Sequence, residues 1–323
     1  MTPMPRQDDQ APLPPRLLGS YGGRPGPTLV VVAGLHGNEP AGVIAFRRVA
    51  AQLAEAGVPL EGRLFGLRGN CRSLAAGVRY LDEDLNRMWA RDLVAALDVA
   101  ADPGTNPSQG KESAEATEQR ELLAALEDVV AGARGGDVSV LDLHTTSSAS
   151  APFAVVGDAP ASRRLAAELP IPHVRGLAAL VPGTLKAFLA EGGMAAVGVE
   201  GGQHQAGASA DRLAAVLRLA LAATGSLGPG ALPRLDADRA VLRAAAAGVP
   251  RELDLVYRHA ISRADAFVMR PGFANFDAVA AGTPLADDRR GPVLAPMDGH
   301  LLMPLYQGLG DDGFFLVRPA GRS

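Results

Sequence analysis

The sequence predicts an α/β protein: a mixed, mostly parallel sheet flanked by helices, with a small β-rich domain at the C-terminal end. Two observations carry this expectation. Through the first two thirds of the chain, short β-branched runs alternate with helical stretches, the pattern of a sheet covered by helices on both faces. Beyond the glycine- and proline-rich segment GSLGPGALP, the texture changes to brief apolar runs separated by Gly, Pro and Asp, as in a compact β module.

The elements follow in chain order. The first fifteen residues contain Arg6, Asp8, Asp9 and several prolines, and no unbroken apolar run that would act as a signal sequence. Residues 1–20 are therefore expected to be a disordered tail and the protein cytoplasmic. TLVVVAG at 28–34 is a β-branched run ended by glycine, suited to a strand buried on both faces of a parallel sheet. After LHGNE, Pro40 opens a helix that closes near Gly57, with proline and glycine in the favoured order. Strands are expected over 63–67, 138–143 and 195–199, and helices over 116–133 and 211–224. The stretch 98–117, containing DPGTNPSQG, reads as an excursion over the surface, either a mobile lid or a plain insertion.

The expected division is an α/β domain over 21–228 and a β-rich domain over 229–323, entered through a helical connector. In the latter, LDLVYRHA, DAFVMR, GPVLAP, GHLLMP and FFLVRP supply the strands. VLAPMDGHLLMP looks like the hairpin of a biotinyl- or lipoyl-type fold, but no lysine stands at its turn, which excludes a carrier site.

Composition narrows the function. The 323 residues carry 31 basic and 35 acidic side chains, a net charge of −4, which argues against an electrostatic nucleic-acid binder. Hydrophobic residues make up 47%, enough for a large core. Each Ala/Leu-rich stretch is interrupted by charge, so no membrane span is expected. Cys71 is the single cysteine, which excludes an intramolecular disulfide and a cysteine-rich zinc site. Any metal must be held by His, Asp and Glu.

His36 and Glu39 in GLHGNEPAG emerge together from the end of a buried strand, at a metal-ligand spacing. Gly34, Gly37 and Gly42 allow the backbone to turn tightly there. In LDLHTTSS, period-two alternation puts Asp142 and His144 on one face of another apolar strand. Hydrolytic zinc sites take three protein ligands and leave a position open for water, and His36, Glu39 and His144 fit that count. Asp142 reads as the carboxylate that orients a ligating imidazole or as a satisfied structural aspartate. AAVGVEGG brings Glu200 to the same sheet edge, where a carboxylate is the natural general base.

Arg79, Asn86 and Arg87 fall in the irregular segment GNCRSLAAGVRYLDEDLNRMW, where guanidinium forks suit carboxylates and developing oxyanions. The chain has 29 arginines and only two lysines, Lys111 and Lys186, so position alone does not separate these arginines from surface residues. His204 reads as a pocket residue or a polar loop residue. His173, His259 and His300 lack ligand-spaced partners and read as structural, Trp89 as core, and Cys71 as a small buried hydrophobe.

GLHGNE, NCRSLAAGVRYLDEDLNR, DLHTTSS and VGVEGG, in this order across residues 29–202, resemble the succinylglutamate desuccinylase and aspartoacylase family, which is related to the zinc carboxypeptidases. The resemblance implies a zinc carboxypeptidase-like fold and one zinc ion per chain held by His36, Glu39 and His144. It implies that Glu200 works on the zinc-activated water, that Arg79 polarises the scissile carbonyl, and that Asn86 and Arg87 hold a substrate carboxylate. The implied reaction is hydrolysis of a small-molecule N-acyl amino acid to a carboxylic acid and a free amino acid, with neither nucleic acid nor membrane as partner.

The sequence also departs from the aspartoacylase pattern. The further arginine about ten residues ahead of the catalytic glutamate is missing, since that position falls near Ala190. The substrate-facing tyrosine is not found either, and GFANF offers Phe273, Asn275 and Phe276 instead. A different acyl group or amino acid from acetylaspartate is therefore expected. The competing readings are a zinc carboxypeptidase acting on small peptides and a non-catalytic metabolite-binding relative.

Overall fold

The computed structural model describes residues 13–100, 112–133, 136–228 and 230–321. Its strands are β1 Leu17–Gly22, β2 Thr28–Ala33, β3 Arg63–Arg68, β4 Val138–Thr146, β5 Phe153–Val156, β6 His173–Arg175 and β7 Ala195–Gln203. They continue with β8 Glu252–Ala260, β9 Val268–Met269, β10 Ala278–Val279, β11 Pro284–Asp288, β12 Gly291–Leu294, β13 Gly299–Leu302 and β14 Asp312–Pro319. The helices are α1 Ala41–Glu55, α2 Cys71–Ala76, α3 Arg91–Ala100, α4 Ala114–Ala131, α5 Pro160–Ala167, α6 Leu177–Leu180, α7 Leu185–Glu191, α8 Gly207–Ala223 and α9 Leu235–Ala245. No described helix is long and apolar enough to cross a membrane.

Eleven strands form one mixed sheet, ordered β1-β3-β2-β4-β7-β5-β6-β8-β14-β13-β10. The central strands β3, β2, β4 and β7 are parallel. Antiparallel pairing appears at the β1 edge, between β5 and β7, and through the C-terminal strands. The unbroken apolar run of β2 is explained by its position. Leu29, Val31 and Ala33 belong to a core shared with α1, α5 and α8, while Val30 and Val32, on the other face, belong to one shared with α4, α7 and Trp89.

The fold also corrects the expectations. Residues 17–20, read as tail, belong to β1, while residues 1–12 lie outside the described part. Most of the 98–117 excursion, residues 101–111, lies outside it as well, and α4 begins at Ala114, earlier than expected. The large sheet passes without interruption from β6 to β8, and a core of Phe153, Val155, Val174, Leu253, Leu255, Phe315 and Val317 joins the two halves. VLAPMDGHLLMP is not a hairpin. β12 pairs with β11 in a separate three-stranded sheet, whereas β13 pairs with β14. Val293 and Leu301 meet in one core, so these segments pack face to face instead of side by side.

Below the main sheet, Arg218 of α8 forks onto Asp238 of α9 at 2.6 and 2.7 Å, with both side chains buried. Removing one partner of such a pair strands the other charge, at a cost of about 3–5 kcal/mol. We expect Asp238→Ala to lower stability by that order in denaturant titrations, and the Arg218→Met, Asp238→Leu double variant to regain most of it. Equal losses for both would exclude the pairing as the cause.

Candidate active site

The site opens beyond the carboxyl ends of β2, β4 and β7, the usual ligand crevice of such sheets. The chain leaving β2 turns at Gly34, whose φ of +70° suits glycine. A Cβ at Gly37 would fall 2.1 Å from the Ser73 backbone, so only glycine lets this loop pack against α2. The turn delivers His36 and Glu39, 5% and 2% exposed. On β4, Asp142 and His144 share a face, and register pairs them with Gly198 and Glu200 of β7.

Glu39 lies between the two imidazoles. Its Oε1 is 2.9 Å from His36 Nδ1, and its Oε2 is 3.1 Å from His144 Nδ1 and accepts the Thr145 amide at 2.9 Å. The outer ring nitrogens meet carboxylates: His36 Nε2 is 3.1 Å from Asp84 Oδ1, and His144 Nε2 is 3.0 Å from Asp142 Oδ1. Arg79 donates to Asp84 Oδ2 at 2.9 Å and stands 3.6 Å from Glu39. One donor atom each from His36, Glu39 and His144 fits within a 4.8 Å span, and this group could hold a metal ion. Two Nδ1 atoms and a carboxylate, each imidazole backed by an aspartate, are a donor set suited to a divalent cation.

Burial opposes ionisation of Glu39 and Asp84, but His36 and His144 around the first, and His36 and Arg79 around the second, hold both well below the usual carboxylate range. Burial also opposes the charged form of His144, yet Asp142 and Glu39 raise its pKa well above the ordinary imidazole value. Glu200 goes the other way. Burial, reinforced by Glu39 and Asp142 and offset in part by His144, pushes it up to about 8. Its Oε2 is withdrawn from solvent and has no hydrogen-bond partner.

Around this centre the cavity is lined by Arg79, Asn86, Arg87, Lys186, Glu200 and His204, among others. Asn86 is partly committed, because its Oδ1 accepts the Leu185 amide at 2.9 Å. Arg87 donates to Asp312 Oδ2 at 2.7 Å, and Arg258 takes the other oxygen of that carboxylate at 2.5 Å. His204 Nδ1 is 2.8 Å from Thr145 Oγ1, and burial lowers its pKa.

The loop between β13 and β14, with β14 itself, roofs the cavity. Met303, Leu305, Gln307, Asp312 and Phe315 contribute lining, and Gln307 accepts from Asn38 at 2.8 Å. No tyrosine is among the described lining residues. Of the GFANF segment, Asn275 acts as a strut, donating to Thr146 Oγ1 and Ser148 Oγ at 3.2 and 3.0 Å.

The remaining candidates lie elsewhere. His173 pairs with Glu252, His259 stacks on Phe314, and His300 meets the Phe276 carbonyl. Trp89 and Cys71 are buried, and burial raises the Cys71 thiol pKa. Sequence reasoning missed Asp84, Asp312 and Lys186. Asp84 stood inside the DEDLNR stretch, two residues before Asn86, and Lys186 was conspicuous as one of two lysines. Asp312 gave no local signal.

The family profile described as the succinylglutamate desuccinylase/aspartoacylase catalytic domain matches residues 25–225, well over half of the chain. The chain belongs to this family. Succinylglutamate desuccinylase of Burkholderia lata is 32% identical over 124 residues, 38% of this chain and 31% of the relative. That of Burkholderia pseudomallei strain K96243 is 34% identical over 125 residues, 38% and 32% of the two chains. The chain thus spans about a third of the length of these curated relatives.

Among solved structures, a succinylglutamate desuccinylase/aspartoacylase of Rhodobacter sphaeroides superposes with a TM-score of 0.62 at 20% identity, covering 94% of this chain and 88% of that one. The product-bound ectoine utilization protein of Ruegeria pomeroyi gives 0.60 at 20% identity, covering 93% and 87%. These likenesses establish the shared fold.

Two predictions follow from the electrostatics. His144 keeps its proton above the ordinary imidazole range in the metal-free chain, so a metal taking its Nδ1 must displace that proton. Calorimetry in buffers of different ionisation heat should show proton release on zinc binding and weakening affinity as pH falls; affinity independent of pH would contradict this. Glu200 is protonated more readily folded than unfolded, so it costs no stability below about pH 4.5 and progressively more up to about 8. In metal-free protein, Glu200→Gln should raise Tm by a few degrees at pH 8 and not at pH 4.5.

Proposed function

We propose that the protein is a zinc-dependent amidohydrolase that removes the acyl group from an N-acyl amino acid. The observation that carries this reading is the unpartnered, proton-hungry Glu200 carboxylate facing the cavity beside the His36, Glu39 and His144 donor set. Zinc held by these three residues would supply Lewis acidity, lowering the pKa of a water to about 7 and polarising the scissile carbonyl.

The chain's own residues do the rest. Asp84 bonds the outer nitrogen of His36, and Asp142 lies 3.0 Å from the outer nitrogen of His144, while both Nδ1 atoms face Glu39. Glu200 takes the proton of the attacking water as its oxygen bonds to the acyl carbon. Glu200 then returns that proton to the amide nitrogen as the C–N bond breaks, releasing a carboxylic acid and a free amino acid. Arg79, braced by Asp84, stands where it can stabilise the negative charge that grows on the carbonyl oxygen. Asn86 and Arg87 hold a carboxylate of the substrate, Arg87 sharing its charge with Asp312. The roof formed by Met303, Leu305 and Gln307 favours small substrates over peptides, and the joint presence of Glu200 and the donor set favours an enzyme over a passive binder.

Glu200→Gln should leave zinc binding intact and lower kcat for N-acyl amino acids by at least about 10², the scale of a lost general base. Unchanged turnover would mean that another group moves the proton. Absence of about one zinc per chain from metal-replete protein would remove the zinc reading altogether.

A further inference from the structure

Lys186 stands in α7 with only 4% of its surface exposed, yet it lines the catalytic cavity. Lysine is almost never fully buried without a partner. Here, among the described residues, no carboxylate lies within 4.0 Å of its nitrogen and no hydrogen bond is made to it. The other cations of the cavity are committed. Arg79 is bound to Asp84 and near Glu39, and Arg87 shares Asp312 with Arg258.

The fold makes room for this side chain. A Cβ at Gly198 would lie 3.4 Å from Lys186 Cδ and 3.8 Å from its Cε, so the stem crosses β7 where the strand is bare. Gly198 is two residues before Glu200 on the same strand face and pairs with Asp142 in register. Burial lowers the proton affinity of the amine, while Asp142 and Asp158 act to keep it charged. A largely buried lysine that lines the cavity with no carboxylate within 4.0 Å of its nitrogen is placed to receive an anion from outside the chain.

We propose that Lys186 is the specificity-determining cation of this cavity, receiving a substrate carboxylate other than the one taken by Arg87. The preferred substrate is then an N-acyl amino acid with an additional carboxylate, on its acyl group or on its side chain. This rests on the deacylase reading above, and it supplies a cation where the arginine near Ala190 is missing. The negative charge can be accepted one helical turn earlier, by a lysine.

The test uses the full-length zinc-loaded protein and two matched pairs: N-succinylalanine against N-butyrylalanine, and N-acetylglutamate against N-acetylglutamine. The charged member of one pair should be preferred by about 10² in kcat/KM, the scale of an unpaired buried ion, and the pair that shows it locates the carboxylate. Lys186→Met should shrink that preference to within about threefold, chiefly through the charged substrate, and Lys186→Arg should restore much of it. No preference in the wild type, or equal losses for both members in Lys186→Met, would overturn the assignment.

If none of the four is hydrolysed, the deacylase reading fails, and binding still decides the role of Lys186. Calorimetry with succinate against butyrate should show tighter dicarboxylate binding that Lys186→Met abolishes. An unchanged ratio of affinities in the variant would overturn the proposal.

Discussion

The structure of this site depends on one buried carboxylate shared between two imidazoles. Glu39 binds inward-facing nitrogens from His36 and His144, and each ring is backed by an aspartate. Four carboxylates, from Glu39, Asp84, Asp142 and Glu200, gather around one closely bound permanent cation, Arg79. Such an excess of buried negative charge is unstable unless something positive enters. In the metal-free chain that role falls to protons, which is why His144 holds one so firmly and Glu200 ionises only near pH 8. A divalent cation held by His36, Glu39 and His144 would answer the same imbalance and, in the function proposed, would leave Glu200 free to act as a base.

The scaffold explains how residues more than a hundred positions apart are held to this geometry. β2, β4 and β7 are neighbouring parallel strands, buried on both faces by helices, so their ends cannot shift independently. Register then sets His144 directly opposite Glu200, and the backbone amide of Thr145 locks Glu39 from below. Small residues carry as much of this as polar ones. Gly37 admits α2 against the ligand loop, and Gly198 admits the stem of Lys186.

How much could be read from the sequence follows the range of the interactions involved. β2 and the helix after it were legible because two-sided burial writes an unbroken apolar run, and Pro40 marks where the helix begins. The group of His36, Glu39 and His144 was legible because polar residues there follow or interrupt an apolar strand pattern. The four-residue β5 and three-residue β6 were missed because pairing with β7 and β8 makes them strands, not their own composition. The hairpin expected at VLAPMDGHLLMP failed for a similar reason: local alternation does not say which sheet a strand joins. Asp312 was invisible because its meaning depends on Arg87, 225 positions earlier in the chain.

That last pair separates two kinds of information in the molecule. His36, Glu39, His144 and Glu200 come from the α/β half, where short motifs carry them and where the family profile matches. The groups that shape the rest of the cavity come largely from the C-terminal segments: Asp312 and Arg258 set the charge around Arg87, and Met303, Leu305 and Gln307 of the β13–β14 loop close the roof. A change in this half can alter which ligand is accepted without touching the donor set. On the proposed function, motifs at the strand ends would report the chemistry, whereas substrate choice would depend on how much of each cation the roof leaves uncompensated. By that measure Arg87 is partly neutralised, and Lys186 is the cation still open to a ligand.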